Sequence, residues 1–392
     1  MPPPSERNWT PGEKLWVQQQ PWLEKQGYML RPRYRPGWIP SWKSKNDLAI
    51  RYEDGQMHYP DEINSATRIA DGKIVMLKRF SQERHPDELK ITQLFSTEPF
   101  LSHPKNHCVP LYDVLRPPDD PDQIIIVLPL LRRYTNPSLQ TVGKAVECFR
   151  QLFEGIQFMH ECNVAHRDCT TLNTMLDPKS MYPNLFHPAA VNWDIKATSR
   201  AKYHSRTSRP PKYYFIDFGI SERFNPDNGP PRTLAIRGGD PTAPELQNPM
   251  GPVDPFPTDV YYLGNMIRYD FINIYKGLEF MIPLLTDMIQ VYPTKRPNID
   301  EVVERFAEIC KGLSQKQLRS RLVRKMQYLC PVMTEVKEYP TPRYVVLFLF
   351  SCQCCIIPSQ PQHQASCFSL DRQDIQRPLR HSLKGWSEMT TT

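Results

Sequence analysis

Long hydrophobic runs are missing from this sequence. The most apolar stretch, residues 345–357, contains Ser351 and Gln353 and is shorter than the roughly 20 apolar residues that a membrane-spanning helix needs. Residues 1–5 are polar and rich in proline, without the apolar centre of a secretory signal. These two absences predict a protein with no membrane span, located in the cytoplasm or the nucleus.

Cysteine patterns that would form a zinc site or a disulfide framework are also absent. The ten cysteines are scattered, and the one close group, Cys352, Cys354 and Cys355, has neither a second pair nor histidines at zinc-ligand spacing. We therefore expect reduced thiols. Glycine is scarce as well, with 16 residues against 41 prolines, which predicts many stiff, non-helical connections.

An excess of positive over negative charge is missing from most of the chain. The net charge is +7, and residues 311–392 alone carry 12 Lys and Arg against 5 Asp and Glu, which already gives 12 − 5 = +7. Residues 1–310 are therefore neutral overall, which argues against nucleic acid as a partner of the main domain. The basic run that begins at Lys311 is typical of a solvated helix face, although it could also contact an acidic surface.

The order of the predicted elements indicates the fold class. The chain of 392 residues exceeds the size at which one core stops growing, so two lobes are expected. Strands are predicted at 73–80 and 124–130, with a short helix at 87–95 between them. Apolar residues then recur every three or four positions from 142 to 159, which is typical of a long helix with one buried face. The prediction is an α+β fold with a small strand-rich lobe and a larger, mainly helical lobe.

Composition suggests how the chain is divided. Residues 1–50, rich in Trp, Pro and Arg, are predicted to be an extended arm packed onto a larger body through its aromatics. The two lobes would cover 51–131 and 132–312. An insert at 178–212 carries seven Lys and Arg against one Asp, and it either docks an acidic partner or is a disordered, solvated loop. A basic tail, partly disordered, would follow at 313–392.

Two polar motifs follow the long predicted helix. One is His166-Arg167-Asp168, with Asn173 five positions after the aspartate, and the other is Asp-Phe-Gly at 217–219, after an apolar run. Carboxylate and amide oxygens are the ligands that Mg²⁺ prefers, so two loops of this kind suit a bound divalent ion. Three further motifs come in order after them: Ala-Pro-Glu ending at Glu245, Asp-Val-Tyr-Tyr-Leu-Gly beginning at Asp259, and a Lys-Arg-Pro sequence containing Arg296.

This series of motifs resembles the eukaryotic protein kinase superfamily, over about residues 60–310. The resemblance implies a bilobal kinase-like fold with ATP and Mg²⁺ as cofactors. Asp168 would orient the substrate hydroxyl and accept its proton, while Asn173 and Asp217 would hold the metal on the phosphates. The residues to which the resemblance gives structural roles are His166, Arg167, Gly219, Glu245, Asp259 and Arg296, with Glu245 paired to Arg296.

The first lobe carries the nucleotide-binding residues that the resemblance implies. Lys78, in the sequence Val-Met-Leu-Lys, would bind the α and β phosphates and pair with Glu88, although the short spacing predicts a truncated helix. The alternative is that both side chains are simply solvated. Adenine would be bound by backbone groups around Pro129 and Leu131, at the end of the apolar strand, with Leu128 at the rear of the pocket.

Three departures from the family pattern stand out. The glycine-rich phosphate loop is expected at 51–63, where Gly55 is the sole glycine. Thr170 stands where a serine/threonine kinase of this family has a lysine. The insert at 178–212 is the third departure.

An anion is also expected beside Arg167. Phosphorylated Thr233, or the carboxylates of Asp227 and Asp240, could supply it.

Three functions follow from these motifs and departures. The first is an ATP-dependent kinase that phosphorylates Ser or Thr in a protein substrate, and the second is a pseudokinase that serves as a protein-binding scaffold. The third is a kinase-like enzyme acting on a small molecule. Glu245, Asp259 and Arg296 argue against the third, because in the family these elements build the side that docks peptides.

Overall fold

The computed structural model describes residues 9–247, 249 and 251–325. The helices are α1 Pro11–Lys25, α2 Glu88–Phe95, α3 Val142–Glu161, α4 Phe256–Ile267, α5 Ile282–Met288, α6 Ile299–Lys311 and α7 Gln315–Arg319. The strands are β1 Tyr28–Leu30, β2 Ile63–Arg68, β3 Ile74–Ser81, β4 Asp113–Leu115, β5 Gln123–Pro129, β6 Arg132–Arg133, β7 Val164–Ala165, β8 Thr174–Leu176, β9 Tyr213–Phe215, β10 Glu222–Arg223, β11 Tyr275–Lys276 and β12 Val323–Arg324.

An antiparallel sheet of five strands, in the order β1-β2-β3-β5-β4, forms the first part of the described chain. β3 and β5 are its central strands, with Lys78 opposite Ile126 in the register. Because successive side chains point to opposite faces, one face of β3 presents Val75 and Leu77 to α1, and the other presents Lys78 toward α2. The sheet therefore places the predicted nucleotide lysine on the face opposite α1.

The prediction of an extended arm at 1–50 is wrong for the part that forms α1 and β1. α1 begins with a capping box, in which Thr10 and Glu13 satisfy each other's backbone N–H groups. Its residues Trp16 and Leu23 are fully buried against the sheet, and β1 pairs with β2 as an edge strand. Pro21 and the glutamines around it obscure the helical period in the sequence. This segment is part of the first lobe, and a boundary at residue 50 divides one connected structure.

Helices dominate the chain after β6. α3 has 20 residues and is buried along most of its length, with α6, α7 and α4 packed around it. The broad apolar face predicted from the sequence thus lies at the centre of the core. The described chain is a mixed α/β structure that is compatible with the predicted bilobal arrangement.

The insert at 178–212 is packed onto the protein, and the expectation of a disordered, solvated loop is wrong. Tyr182 and Phe186 are buried, and the guanidinium of Arg132 lies 4.7 Å from the centre of each ring. Arg206, also buried, donates to the carbonyl of Tyr134 at 2.8 Å and to the hydroxyl of Tyr213 at 2.7 Å. Its aromatic residues and Arg206 therefore anchor the insert, while most of its other basic side chains face solvent.

The tail prediction for 313–392 falls mostly outside the described residues. Its first part forms α7 and β12, and β12 pairs with β11. Among the helices that the structure describes, none combines the length and apolar character needed to cross a bilayer.

Candidate active site

Lys78 connects the two predicted motif regions of the site. Its ammonium forms ion pairs with the carboxylate of Glu88 on α2 and, at 2.8 Å, with Oδ1 of Asp217. Burial opposes the charge on Lys78, but the carboxylates of Asp217 and Glu88 outweigh it and raise the pKa of the lysine. Lys78 and Glu88 therefore form a buried ion pair, which excludes the alternative that both side chains are solvated. The eight-residue α2 confirms the predicted truncated helix.

Asp217 lies where β9 ends, in a strained backbone conformation. Its φ is +66°, in the left-handed region that few non-glycine residues adopt. Oδ1 accepts the N–H of Gly219 at 3.2 Å as well as the bond from Lys78. Burial alone would raise the pKa of Asp217, but the charge of Lys78 outweighs it and lowers the pKa, so the group is a carboxylate.

Asp168 is enclosed by its own loop and by a glycine from a distant segment. Oδ2 accepts the side-chain amide of Asn173 at 2.9 Å, and Oδ1 accepts the backbone N–H of Gly239 at 2.6 Å. The turn that shapes this loop is closed by Thr170, whose N–H donates to the carbonyl of Asp168 at 2.8 Å. Burial raises the pKa of Asp168 to about 7.

Backbone pairing brings the two loops together. The N–H of Ile216, next to Asp217, donates to the carbonyl of Asn173 at 2.9 Å, because β8 and β9 are neighbouring antiparallel strands. Asn173 directly precedes β8, and Asp217 follows the end of β9, so the pairing of these strands brings the loop of Asp168 and Asn173 next to Asp217. All three lie at one site, together with Lys78.

Asp259, at the start of α4, fixes the loop that carries Asp168. Its carboxylate accepts the backbone N–H groups of His166 at 2.7 Å and Arg167 at 2.6 Å, and the ring of His160 at 3.0 Å. His166 is fully buried, its Nδ1 accepts the N–H of Asp168 at 3.2 Å, and burial lowers its pKa. Like Asp217, Arg167 has a φ of +66°. A buried carboxylate that binds two backbone amides explains how this strained turn is held.

Glu245 and Arg296 form a buried, bidentate ion pair. Nη1 and Nη2 of the arginine donate to Oε1 and Oε2 of the glutamate at 2.7 and 2.8 Å. The arginine side chain is 0% exposed and the glutamate 8%. Burial raises the pKa of Glu245, but its hydrogen bonds to Arg296 outweigh that effect and lower it. The pair connects the end of the segment after Asp217 to the loop before α6.

The anion beside Arg167 comes from a residue that sequence reasoning missed. Nη1 of Arg167 lies 3.0 Å from Oε2 of Glu222, and the hydroxyl of Thr233 donates to the same oxygen at 2.5 Å. The proposal of Asp227 or Asp240 for this position is wrong: Asp227 is exposed on a separate turn, and Asp240 accepts a bond from the side chain of Asn265. Glu222 follows Asp-Phe-Gly by three residues, and this spacing alone does not distinguish it from the other carboxylates of the segment.

The connection between β1 and β2 takes the position in which a phosphate loop was expected. It covers residues 31–62 and is a series of short 3-10 turns, with glycines at 37 and 55. Asp54 is buried at its centre and accepts the indole N–H of Trp38 and the N–H of Ser41, both at 2.9 Å. The expected range of 51–63 is therefore only the last part of a longer, internally bonded segment.

The predicted adenine-binding residues lie at the end of β5. Pro129 is buried and pairs with Val75, while Leu131 is half-buried just beyond the strand. Pro129 has no N–H, so its backbone can only accept a hydrogen bond, whereas Leu131 can also donate. Leu128 lies in the core below them.

A divalent ion fits the oxygens that Asn173 and Asp217 present. The amide nitrogen of Asn173 is directed at Asp168, so its carbonyl oxygen faces away from that bond. Lys78 and Gly219 bond one oxygen of Asp217, which leaves the other for a ligand. No cluster of three or more His, Cys, Asp or Glu suited to a metal occurs in the described part of the chain. Two protein oxygens are consistent with Mg²⁺, which completes its shell with phosphate oxygens and water.

His85 is another residue that the sequence did not reveal. Its Nδ1 lies 2.8 Å from the carbonyl of Gly219, and since a carbonyl only accepts, that nitrogen carries the proton. His85 precedes α2, so it ties the helix that carries Glu88 to the loop that carries Asp217. The only sequence signal is its position three residues before Glu88.

Comparison with known proteins supports a kinase-like relationship for part of the chain. No protein-family model matches it. Over 112 residues, 29% of the chain, it is 31% identical to the serine/threonine-protein kinase CAK1 of Saccharomyces cerevisiae. The matched stretch covers 22% of the yeast protein, so the chain spans less than a quarter of the length of this relative.

Proposed function

We propose that the chain is an ATP-dependent protein kinase that transfers the γ-phosphate to Ser or Thr hydroxyls of protein substrates. The observation that carries this proposal is the convergence of Lys78, Glu88 and Asp217 in one ion-paired group, next to Asp168 and Asn173. These groups come from the sheet, from α2 and from two loops. Phosphoryl transfer requires their charges in one place.

The nucleotide would lie between the end of β5 and Lys78. The ammonium of Lys78 binds phosphate oxygens, and Glu88 keeps that ammonium directed into the site. Asn173 and Asp217 would hold Mg²⁺, which supplies positive charge to the phosphates when bound. Backbone groups of Pro129 and Leu131 would accept from and donate to the adenine edge.

Asp168 has the chemistry of the proton acceptor. The substrate hydroxyl oxygen forms a bond to the γ-phosphorus, the bond from that phosphorus to the β-phosphate oxygen breaks, and ADP leaves. Asp168 orients the hydroxyl and takes its proton. Its oxygens accept bonds from Asn173 and Gly239, but each carboxylate oxygen has a further lone pair for the hydroxyl. A pKa of about 7 suits a general base near neutral pH.

Protein Ser or Thr residues are the proposed acceptors for two reasons. The similar yeast protein is named a serine/threonine-protein kinase. The pair of Glu245 and Arg296 also anchors the segment next to Asp168 on the side that docks peptides in the kinase family. A small-molecule acceptor would not need this side.

A transfer assay with radiolabelled ATP, Mg²⁺ and a general protein acceptor tests the proposal. We expect transfer by the wild type, and loss of it in Asp168→Ala and in Lys78→Met, because one variant lacks the base and the other lacks the phosphate-binding charge. Asp287→Asn, a change in an ion pair between half-buried side chains of α5 and α6, is the matched control and should transfer at the wild-type rate. Wild-type protein that neither binds ATP nor transfers phosphate would refute the proposal.

A second candidate is a pseudokinase that binds protein partners without transferring phosphate. The segment 31–62 favours it, because this long connection replaces a short glycine loop, and Thr170 brings no positive charge to the site. A thermal-shift measurement separates the two candidates. A rise in melting temperature with ATP and Mg²⁺ but no transfer in any preparation would favour the scaffold.

A further inference from the structure

Glu222 lies where three separate segments of the chain meet. Its Oε2 accepts a hydrogen bond from Nη1 of Arg167 at 3.0 Å and from the hydroxyl of Thr233 at 2.5 Å. The other terminal nitrogen of Arg167, Nη2, donates to the carbonyl of Leu234 at 2.7 Å. One carboxylate and one guanidinium thus connect the loop of Asp168, the strand after Asp-Phe-Gly and the segment at 233–234.

Backbone pairing holds each of these segments in place. In the register of β7 and β10, Glu222 lies opposite Ala165, two residues before Arg167. Thr233 exchanges both backbone hydrogen bonds with Val253, at 3.0 and 2.8 Å. The carboxylate of Glu222 therefore reaches Arg167 from a fixed position.

Arg167 requires an anion because it is buried. Its side chain is 8% exposed, and burial lowers its pKa, while the charge of Glu222 opposes that change. A buried charge that loses its partner destabilises a protein strongly. Within the described residues, Glu222 is the one carboxylate in an ion pair with the Arg167 side chain.

The segment that Arg167 and Glu222 hold at residues 233–234 continues to the glycines at 238 and 239, which contact Asp168. The N–H of Gly239 donates to Oδ1 of Asp168. A Cβ at Gly238 would lie 2.7 Å from that same oxygen. These glycines follow Leu234 by a few residues, so the position of 233–239 determines how Asp168 is bonded.

We propose that Glu222 is a built-in anion that positions Arg167 and orders residues 233–239, so that the site is assembled without phosphorylation of Thr233. The inference rests on the proposed kinase function and names its regulation. Glu222 is a positioning residue, because its side chain acts through Arg167 and Thr233. A phosphate on Thr233 would carry about −1.5 to −2 charges beside the carboxylate already there, and the two anions would compete for one arginine. Phosphorylation of Thr233 should therefore lower activity.

The test uses full-length protein treated with phosphatase, with mass spectrometry to show unmodified Thr233. We expect this wild type to be active, and Glu222→Gln to lower kcat by at least about tenfold, because Arg167 loses its counter-charge. The KM for ATP should change little, since the nucleotide groups lie elsewhere. Glu222→Asp should recover part of the loss. Asp227→Asn, which removes an exposed carboxylate of the same segment, is the matched control and should match the wild type.

Hydrogen exchange gives a readout that does not depend on catalysis. Amides at 233–239 should exchange at least about tenfold faster in Glu222→Gln than in the wild type, because the segment loses its anchor. Wild-type protein that is inactive until Thr233 is phosphorylated, or activated by Thr233→Glu, would overturn the inference and leave the kinase function standing. If no form transfers phosphate, the proposed function fails, and exchange alone decides the positioning role: unchanged rates in Glu222→Gln overturn it, and faster rates support it.

Discussion

Replacing Asp168 with asparagine should change the way in which stability depends on pH. An aspartate has an ordinary pKa of 3.8, and burial raises that of Asp168 to about 7 in the folded protein. Between these values the folded chain binds more protons than the unfolded chain. The stability that Asp168 contributes is therefore present at low pH and is lost as the pH rises through about 7.

The magnitude follows from proton linkage. Each pH unit over which the folded state holds one extra proton corresponds to about 1.4 kcal/mol. From pH 5 to pH 8 the wild type should lose about 2.5 kcal/mol of unfolding free energy through this one carboxyl group. Asparagine does not titrate, so Asp168→Asn should gain that amount relative to the wild type over the same interval.

Urea denaturation of both proteins at pH 5, 6, 7 and 8 measures this difference. Glu245→Gln is the control, because the hydrogen bonds from Arg296 outweigh burial and lower the pKa of Glu245, so that carboxylate is ionised throughout the interval. Its stability difference from the wild type should be a loss that stays constant from pH 5 to pH 8. An equally constant difference for Asp168→Asn would refute the reasoning that burial holds its carboxyl group close to neutrality.

Three further changes test the surrounding structure. Arg296→Met leaves Glu245 buried without its partner and should lower the unfolding free energy by about 3–5 kcal/mol in urea denaturation; a loss below 1 kcal/mol would contradict the buried ion pair. Asp54→Ala should cost about 1–3 kcal/mol and speed tryptic cleavage within 31–62, because the indole and amide donors that it binds become unpaired. Glu62→Ala, at an exposed position of the same segment, should change neither. Arg206→Ala should release the insert, so that hydrogen exchange becomes faster at 178–212 but not in α3, and uniform exchange changes would argue against a locally anchored insert.

Short motifs in the sequence were sufficient to predict two ion pairs. Lys78 meets Glu88, and Glu245 meets Arg296. Each prediction came from residue types in a familiar order, in which a charge has an expected partner. Charged pairs are predictable in this way because a buried charge must have a partner.

Packing that depends on irregular segments could not be read from the sequence. α1 escaped notice because Pro21 and several glutamines interrupt its apolar period, although Trp16 and Leu23 lie one above the other on its buried face. The insert looked solvated because its charged residues, seven Lys and Arg against one Asp, are almost all basic. Its position is set by Tyr182 and Phe186, whose contact with Arg132 joins residues far apart in the chain.

Glu222 shows a different limit of sequence reasoning. Several carboxylates follow Asp217 in the chain, and nothing in their spacing says which one faces Arg167. The pairing of β10 with β7 decides it, because that register puts residue 222 opposite residue 165. The two strands are only two residues long, too short to be recognised from an alternation of polar and apolar residues.

The two long departures from the kinase pattern, 31–62 and 178–212, contact each other. Nε2 of His187 lies 3.2 Å from Oε1 of Glu53, and its Nδ1 accepts the N–H groups of Ala189 and Ala190 at 3.1 and 2.9 Å. Since Nδ1 accepts, the proton must lie on Nε2, and burial lowers the pKa of His187, so the ring is a neutral donor to the carboxylate. Arg31 binds the same glutamate at 2.7 Å. Residues 31–62 are therefore tied to the insert through Glu53, and Arg31 braces that glutamate from the start of the same segment.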